Sequence, residues 1–528
     1  MEIAETETTP CINPATGEVI GYSPITPREE LPDIVQAARD AQKNWAALPV
    51  KDRSRRLLAV RDFIVEHADH IATVIHQDTG KAFLDAYSTE VVATANALHY
   101  YARRAPGFLR PKKLRPGNIV LIQKSSRVYR VPYGVIGIIS PWNYPFTIPF
   151  HEVAIGLLSG NAVILKTATA TQMVGRLIEQ CLQAADLPEG LFSFINMPGR
   201  IVGDALLDSG IDKLFFTGSV SVGQQLMEKA SRYLTPVSLE LGGKDAMIVC
   251  EDADLERATN GAVWAGFQNS GQSCGGIERI YVHHAVYDEF LGLLKQKVER
   301  LYPGVNSTPD SNLGVMTTSG QANIVRSHVQ HALEAGAAVF AQSPMPATSR
   351  NGNFIPAMVL TDVDHTMQVM REETFGPVLG VMKFKTIEEA IRLANDSDLG
   401  LTGSVWSRNQ KTAERIGRQL QAGAIMINDH LMSHGMPETP WGGFKKSGLG
   451  RTHGKFGFDE MTQPQVIVRD RLSFAKRNLW WHPYSEKVHS ALQGMLQMLY
   501  GKTMRTRIRG FMAVLRSLPR MFKSWKED

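Results

Sequence analysis

Cys274 lies in FQNSGQSCGGIERIYV, where Ser270, Gly271, Ser273, Gly275 and Gly276 surround it with small residues. Such neighbours leave a sulfur accessible and let backbone N–H groups approach it. The thiolate is the reactive form, and a helix N-terminus or nearby dipoles would favour it. The competing reading is a buried structural cysteine. Cys181, in LIEQCLQAA, and Cys250, at a strand end, fit that reading, whereas Cys274 lacks the apolar neighbours it requires. A second candidate is Glu240 in SLELGGKDAMIV. Leu239 and Leu241 flank it and two glycines follow, so its carboxylate is partly desolvated. Desolvation raises a carboxyl pKa toward the range of a general base. A surface glutamate ending a strand is the alternative. The third candidate is Asn143 in SPWNYPF, directly after a buried strand, where α/β folds bind ligands. Its amide could stabilise an oxyanion together with the Cys274 N–H; a turn asparagine between prolines is the alternative.

The elements that must position these residues are short apolar runs alternating with helical patterns. Residues 134–139, 162–165, 213–216 and 246–249 read as buried strands, with amphipathic stretches at 171–185 and 223–233. Alternation of this kind predicts an α/β fold of parallel sheets covered by helices. A second series, with strands at 278–282, 378–384 and 424–428 and helices at 287–302, 321–335 and 387–395, predicts another α/β domain. Residues 119–129 (IVLIQKSSRVY) read as strand, polar turn and strand, a protruding hairpin suited to oligomer contacts.

A chain of 528 residues allows two to four domains, and its 43% apolar and 21% charged residues argue against wholesale disorder. The four cysteines show no C-x-x-C spacing, so neither a metal site nor a disulfide framework is suggested. The N-terminal MEIAETETTP has no apolar core. Together these favour a reducing, cytoplasmic setting. The uncharged stretch 131–150 has the length of a membrane span, but Pro132, Pro141, Pro145 and Pro149 make it a buried strand running into a turn.

The ordered motifs PWNYP, GNAVILK, FTGSVSVG, LELGGK, GQSC, EETFGPV and PWGGFKKSGLGR closely resemble the aldehyde dehydrogenase superfamily over roughly residues 10–470. The resemblance implies a Rossmann-like cofactor domain (1–113 and 133–241), a catalytic domain (242–459) and a β-hairpin oligomerisation element (114–132 and 460–470). It implies oxidation of an aldehyde to an acid with NAD or NADP, in a homodimer or homotetramer. Cys274 then matches the nucleophile, Asn143 and the Cys274 N–H the oxyanion hole, and Glu240 the water-activating base. The 33 residues between Glu240 and Cys274 keep the family's spacing. There is no G-x-G-x-x-G; Gly218 and Gly223 match the family's G-x-x-x-x-G turn, with the helix near Gly223 offering its N-terminus to a diphosphate. Lys166 matches the adenosine-ribose contact, and Glu373 and Phe375 the contacts to the nicotinamide ribose and ring. Trp142, Thr217, Ser219, Leu241 and Gly242 complete the implied cofactor site.

Two positions depart from the pattern. Thr169 stands where many members carry a ribose-binding glutamate, which removes repulsion against a 2′-phosphate and predicts that NADP is tolerated. Thr452 stands where many members carry a glutamate implicated in proton relay. The stretch HGKFGFD at 453–459 is more like the branch acting on fatty and aromatic aldehydes, which points to hydrophobic substrates. The nearest alternatives are a semialdehyde or a CoA-acylating dehydrogenase, the latter disfavoured by Glu240. A membrane-associated scaffold without catalysis is a third, disfavoured by the joint presence of Cys274, Glu240 and Asn143.

The net charge of +5 conceals a break. Residues 471–528 hold 12 Lys and Arg against 3 Asp and Glu, a charge of +9, leaving −4 for the body. Val488, Leu492, Met495, Leu496 and Leu499 recur at helical spacing, as do Met504, Ile508, Phe511, Met512, Leu515 and Leu518 among interleaved arginines. Such a basic amphipathic extension either lies on an anionic membrane surface or packs over the body or a neighbouring subunit. Its arginines recur too often for a span, and its aromatic and aliphatic stripe disfavours nucleic acid.

Overall fold

Strand Val135–Ile139 is buried at every position, as is expected where a Val/Ile run has helices on both sides. The computed structural model describes residues 7–304, 309–345 and 353–524. The chain divides into two units, Met1–Leu109 with Pro132–Gln463, and Arg110–Val131 with Pro464–Asp528.

The first unit contains two main sheets. A six-stranded sheet runs in the order Gly448–Leu449, Val237–Glu240, Lys213–Thr217, Val135–Ile139, Ala162–Lys166, Phe192–Phe194. Its pairings are parallel except at Gly448–Leu449. The register sets Ile139 beside Lys166 and Thr217 beside Glu240. The carboxyl ends of these strands therefore lie side by side, the edge where doubly wound folds bind ligands. A seven-stranded sheet runs Ala338–Gln342, Met358–Thr361, Val378–Phe384, Ile277–His283, Asp245–Val249, Thr402–Trp406, Ala424–Ile427. Only its outermost pair, at Ala338–Gln342, is antiparallel. The strands expected near 134, 162, 213, 246, 278, 378 and 424 are all present within one residue at each end.

Three helices bear on the site. The apolar stretch after Val135–Ile139 turns through 140–146 into α1 (Thr147–Ser159), buried along its whole length. The helix expected from Gly223 begins a turn earlier, as α2 (Val220–Ser231), with the Ser219 hydroxyl accepting from Val222 N at 3.4 Å. Gly223 therefore lies inside the first turns rather than at the terminus. A β-carbon there would sit 2.8 Å from Leu241 Cδ2, so glycine is what lets this helix close on the strand end. The helix α3 (Leu255–Phe267), capped by the Asp254 carboxylate, leads into the cysteine loop. Four long helices between Leu31 and Phe108, which the sequence reading did not single out, pack against the six-stranded sheet.

In the second unit, strands Thr462–Asp470, Lys124–Pro132 and Lys112–Leu114 form a sheet in that order. Here the expectation for 119–129 fails in its first half. Ile119–Leu121 is a 3-10 turn, because Asn118 Oδ1 accepts from Val120 N at 3.1 Å and satisfies the backbone locally. The hairpin partner of Lys124–Pro132 is instead Lys112–Leu114, with Lys112 opposite Val128. Lys124 pairs with Asp470 and reaches Asn478 Oδ1 at 3.1 Å. The basic extension folds as two helices, α4 (Glu486–Tyr500) and α5 (Met504–Ser517), which pack on each other. A small cluster of Leu479, Ala491, Met495 and Met521, with Val120 and Trp480 against it, forms this unit's core. No described helix is long and apolar enough to cross a membrane.

Candidate active site

Between α3 and strand Ile277–His283 the chain makes an abrupt turn. Asn269, Ser270 and Gly271 all have positive φ, at 53°, 54° and 69°. Two consecutive non-glycine residues in this region store strain that packing must hold. Asn269 N donates to Asp85 Oδ2 at 2.9 Å, and Asn269 Nδ2 donates to the Asn143 and Gln272 carbonyls at 2.9 and 3.1 Å. The half-buried Cys274 follows this turn. Gly275 faces the Trp441 ring, 2.8 Å from a built β-carbon, so the small neighbours read from the sequence allow close packing around the sulfur.

Asn143 is buried, and its Nδ2 donates to the Gln272 carbonyl at 3.1 Å. That bond uses one of its two N–H groups and ties the Asn143 turn to the cysteine loop. The turn is clamped from beneath by Lys81, whose Nζ donates to the Asn143 carbonyl at 2.7 Å and pairs with Glu90. Glu90 Oε2 in turn accepts from Phe146 and Thr147 N, at 2.8 and 3.1 Å. Both charges are wholly buried, so losing one partner strands the other at a cost of roughly 3–5 kcal/mol.

Glu240 and Cys274 line one cavity of about 20 Å³, room for a single water. Burial, and then the neighbouring Glu152 carboxyl, push the Glu240 pKa well above its ordinary value, against the Arg451 guanidinium. Glu240 Oε2 has no hydrogen-bond partner among the described residues. Glu152, on α1 in the same cavity, is raised by burial to about 8, eased by the Thr217 hydroxyl. His151, His434 and His453 are grouped around it. The rings of His151 and His453 stack at 4.0 Å, and Tyr101 Oη lies 2.7 Å from His151 Nδ1. Desolvation holds all three imidazoles below their usual pKa, so they are neutral near pH 7.

The thiol's surroundings correct the expectation of a dipole-favoured thiolate. Burial, followed by the carboxyls of Glu373, Asp245 and Glu240, pushes the Cys274 pKa upward, and its own backbone N–H only partly opposes this. The sulfur here is held as a thiol.

The other expected residues gather on the strand ends around this centre. Lys166 is buried, and desolvation lowers it to about 8 with no counter-charge contributing. A β-carbon on Gly218 would lie 2.5 Å from the Phe216 ring. Leu241 covers Gly223. Gly243 N donates to Glu373 Oε1 at 3.0 Å, and the same carboxyl lies against Gly242. The Trp142 and Phe375 rings meet edge to face at 5.4 Å. A buried ammonium without counter-charge among the described residues, the Ser219-capped start of α2 and this aromatic pair fit an anionic, aromatic dinucleotide. Sequence reading missed what anchors the 373–375 loop. Glu278 accepts from Thr374 and Phe375 N at 2.9 Å each and pairs with buried Lys244. It also missed Glu152 and the histidines, since nothing in their sequence neighbourhood marks them as sharing a cavity.

In this two-sheet α/β fold a cysteine and a buried glutamate face one cavity at the strand ends. The sequence pattern of the aldehyde dehydrogenase family matches residues 2–467, and the chain belongs to that family. It is 39% identical over 491 residues to a 4,4′-diapolycopene aldehyde oxidase from Methylomonas sp, covering 93% of this chain and 91% of that one. It is 36% identical over 461 residues to a Mycobacterium ulcerans protein provisionally named as an NADP(+) succinate-semialdehyde dehydrogenase, covering 87% and 88%. The structure superposes on a betaine aldehyde dehydrogenase from Staphylococcus aureus in complex with NAD+, with a TM-score of 0.85 and 30% identity over 92% of this chain and 98% of that one. The protein is thus an aldehyde-oxidising oxidoreductase, and its cofactor is NAD or NADP.

Proposed function

We propose that this enzyme oxidises hydrophobic aliphatic or aromatic aldehydes to carboxylic acids through a thioester on Cys274. The observation that carries the reading is the water-sized cavity faced by both Glu240 and Cys274. Cys274 loses its proton to a neighbouring carboxylate, and its sulfur adds to the aldehyde carbon to give a thiohemiacetal. Asn143 Nδ2 and the Cys274 N–H hold the resulting oxyanion. Bound NAD or NADP supplies the acceptor for the hydride that leaves this carbon. Glu240 then takes a proton from water as it attacks the thioester, and the acid departs with Cys274 regenerated. Lys166, Ser219 and the glycines 218, 223 and 242 hold the cofactor, with Thr217 and Leu241 beside them. Trp142, Glu373 and Phe375 hold its nicotinamide end.

Apolar side chains support the substrate class. Ile148, Leu241, Leu401 and Trp441 line the cavity beside the polar His151, Glu152 and Thr217. The relative named for 4,4′-diapolycopene aldehyde agrees with this. Thr169 in place of a ribose-binding carboxylate, and the NADP(+) in the name of the mycobacterial relative, support use of NADP. Residues 1–113 with 133–241 are read as the cofactor domain, 242–459 as the catalytic domain, and 114–132 with 460–470 as the oligomerisation element of a homodimer or homotetramer. Exposed Val466, Ile467 and Val468 on an edge strand support that last role. The enzyme is placed in the cytoplasm, with peripheral membrane contact through 471–528.

A panel of straight-chain, aromatic and carboxylate-bearing aldehydes, run with each cofactor, tests the proposal. The expected result is a kcat/KM at least about tenfold higher for octanal than for succinate semialdehyde, with turnover on both NAD and NADP. Preference for the semialdehyde overturns the substrate class. Strict rejection of NADP overturns the cofactor reading, and acyl-CoA formation on adding CoA overturns hydrolysis.

A further inference from the structure

The two C-terminal helices use one face of each on one another. A β-carbon on Gly494 would meet Ala513 Cβ at 2.7 Å and the Gly510 carbonyl at 2.9 Å, so the backbones touch through these two glycines. Gly510 is the buried residue of α5. The helix's large apolar residues lie elsewhere. At about 100° per residue, Met504, Ile508, Phe511, Met512, Leu515 and Leu518 fall in a stripe about 120° wide, turned away from Gly510. All six are exposed, Met504 by 73% and Ile508 by 55%. Arg505, Arg509 and Arg516 run along one edge of the stripe and Arg507 along the other. Leu496 on α4 is exposed as well.

The charge around this stripe has one sign. From 487 to 524 there are eight Lys and Arg and no Asp or Glu. A second copy would bring the same charge to the same face, and like charges oppose that contact. The helix spans about 21 Å and is edged with arginine, which suits lying in an interface and not crossing it. We infer that α5 lies flat on an anionic lipid bilayer, with Ile508, Phe511 and Leu515 in the acyl boundary and Arg505, Arg507, Arg509 and Arg516 at the headgroups. The inference rests on the peripheral contact proposed above and assigns it to one face.

Flotation of the full-length protein with vesicles of pure phosphatidylcholine, or with about a third phosphatidylglycerol, tests it. The wild type should float with the anionic vesicles only. Binding should fall at least tenfold in Ile508→Ser/Phe511→Ser/Leu515→Ser and in Arg505→Glu/Arg509→Glu/Arg516→Glu. Turnover of a short, water-soluble aldehyde by these variants should match wild type, which reports an intact fold. If the wild type does not float, both the face and the peripheral contact fall. If wild type and variants float equally, the contact stands and this face is refuted. Loss of binding in the arginine variant alone refutes insertion of the stripe. A drop in oligomer size in the apolar variant shows that a second copy covers the face and overturns the inference.

Discussion

Around Cys274 the chain buries ionisable groups, among them Glu152, Glu240 and His151. Along α5 it leaves Met504, Ile508, Phe511 and Leu515 exposed to water. Each arrangement reverses the usual partition of side chains, and each is costly in an isolated chain. In the cavity, desolvation alters proton affinity, so the groups are tuned for transfer. Along the helix, apolar exposure leaves free energy to be released on contact with a surface. Burial of charge therefore marks the proposed reaction centre, and exposure of apolar surface marks the proposed docking face.

Breaking the comparison at the reaction centre should have the largest effect. Cys274→Ala removes the nucleophile and should lower steady-state turnover by on the order of 10⁴-fold or more, measured as cofactor reduction. Near-normal activity would refute the covalent route. Glu240→Gln should be next, lowering steady-state turnover by about 10²–10⁴-fold. Its first turnover should still release a burst of reduced cofactor, because hydride transfer precedes the step that needs the base; a lost burst would reassign Glu240 to the acylation half.

Glu152→Gln should have the smallest effect. The Glu152 carboxyl raises the Glu240 pKa, and a general base works in its deprotonated form. Removing that carboxyl lowers the Glu240 pKa, so the acidic limb of the deacylation pH profile, where activity rises as the base loses its proton, should move to lower pH. An unmoved profile with reduced activity would make Glu152 purely structural. The α5 variants should leave all three readouts unchanged, which separates the two regions.

Residues whose function is declared by their immediate neighbours were legible in the sequence. Glycines and serines around Cys274 and leucines around Glu240 state local packing directly. The buried parallel strands were also plain, because unbroken Val/Ile runs allow few other readings. Groups assembled over long sequence distances were not legible. Glu90 meets Lys81 and the turn after Asn143 only through the fold, and Glu152 meets His453 from 301 positions away. The charge state of Cys274 was misread for the same reason. The local glycines suggested dipoles that would favour the thiolate, while burial, followed by the carboxyls of residues 373, 245 and 240, disfavours it. The hairpin at 119–129 failed on a side chain just outside it, Asn118.

Glu278 stands four residues after Cys274 at the start of one strand, and it carries the backbone of Thr374 and Phe375. The sulfur and the loop proposed to hold the nicotinamide thus share a common mount. If that strand shifts along its axis, both partners of hydride transfer travel with it, and their separation is preserved. Glu240, by contrast, is carried on the other sheet.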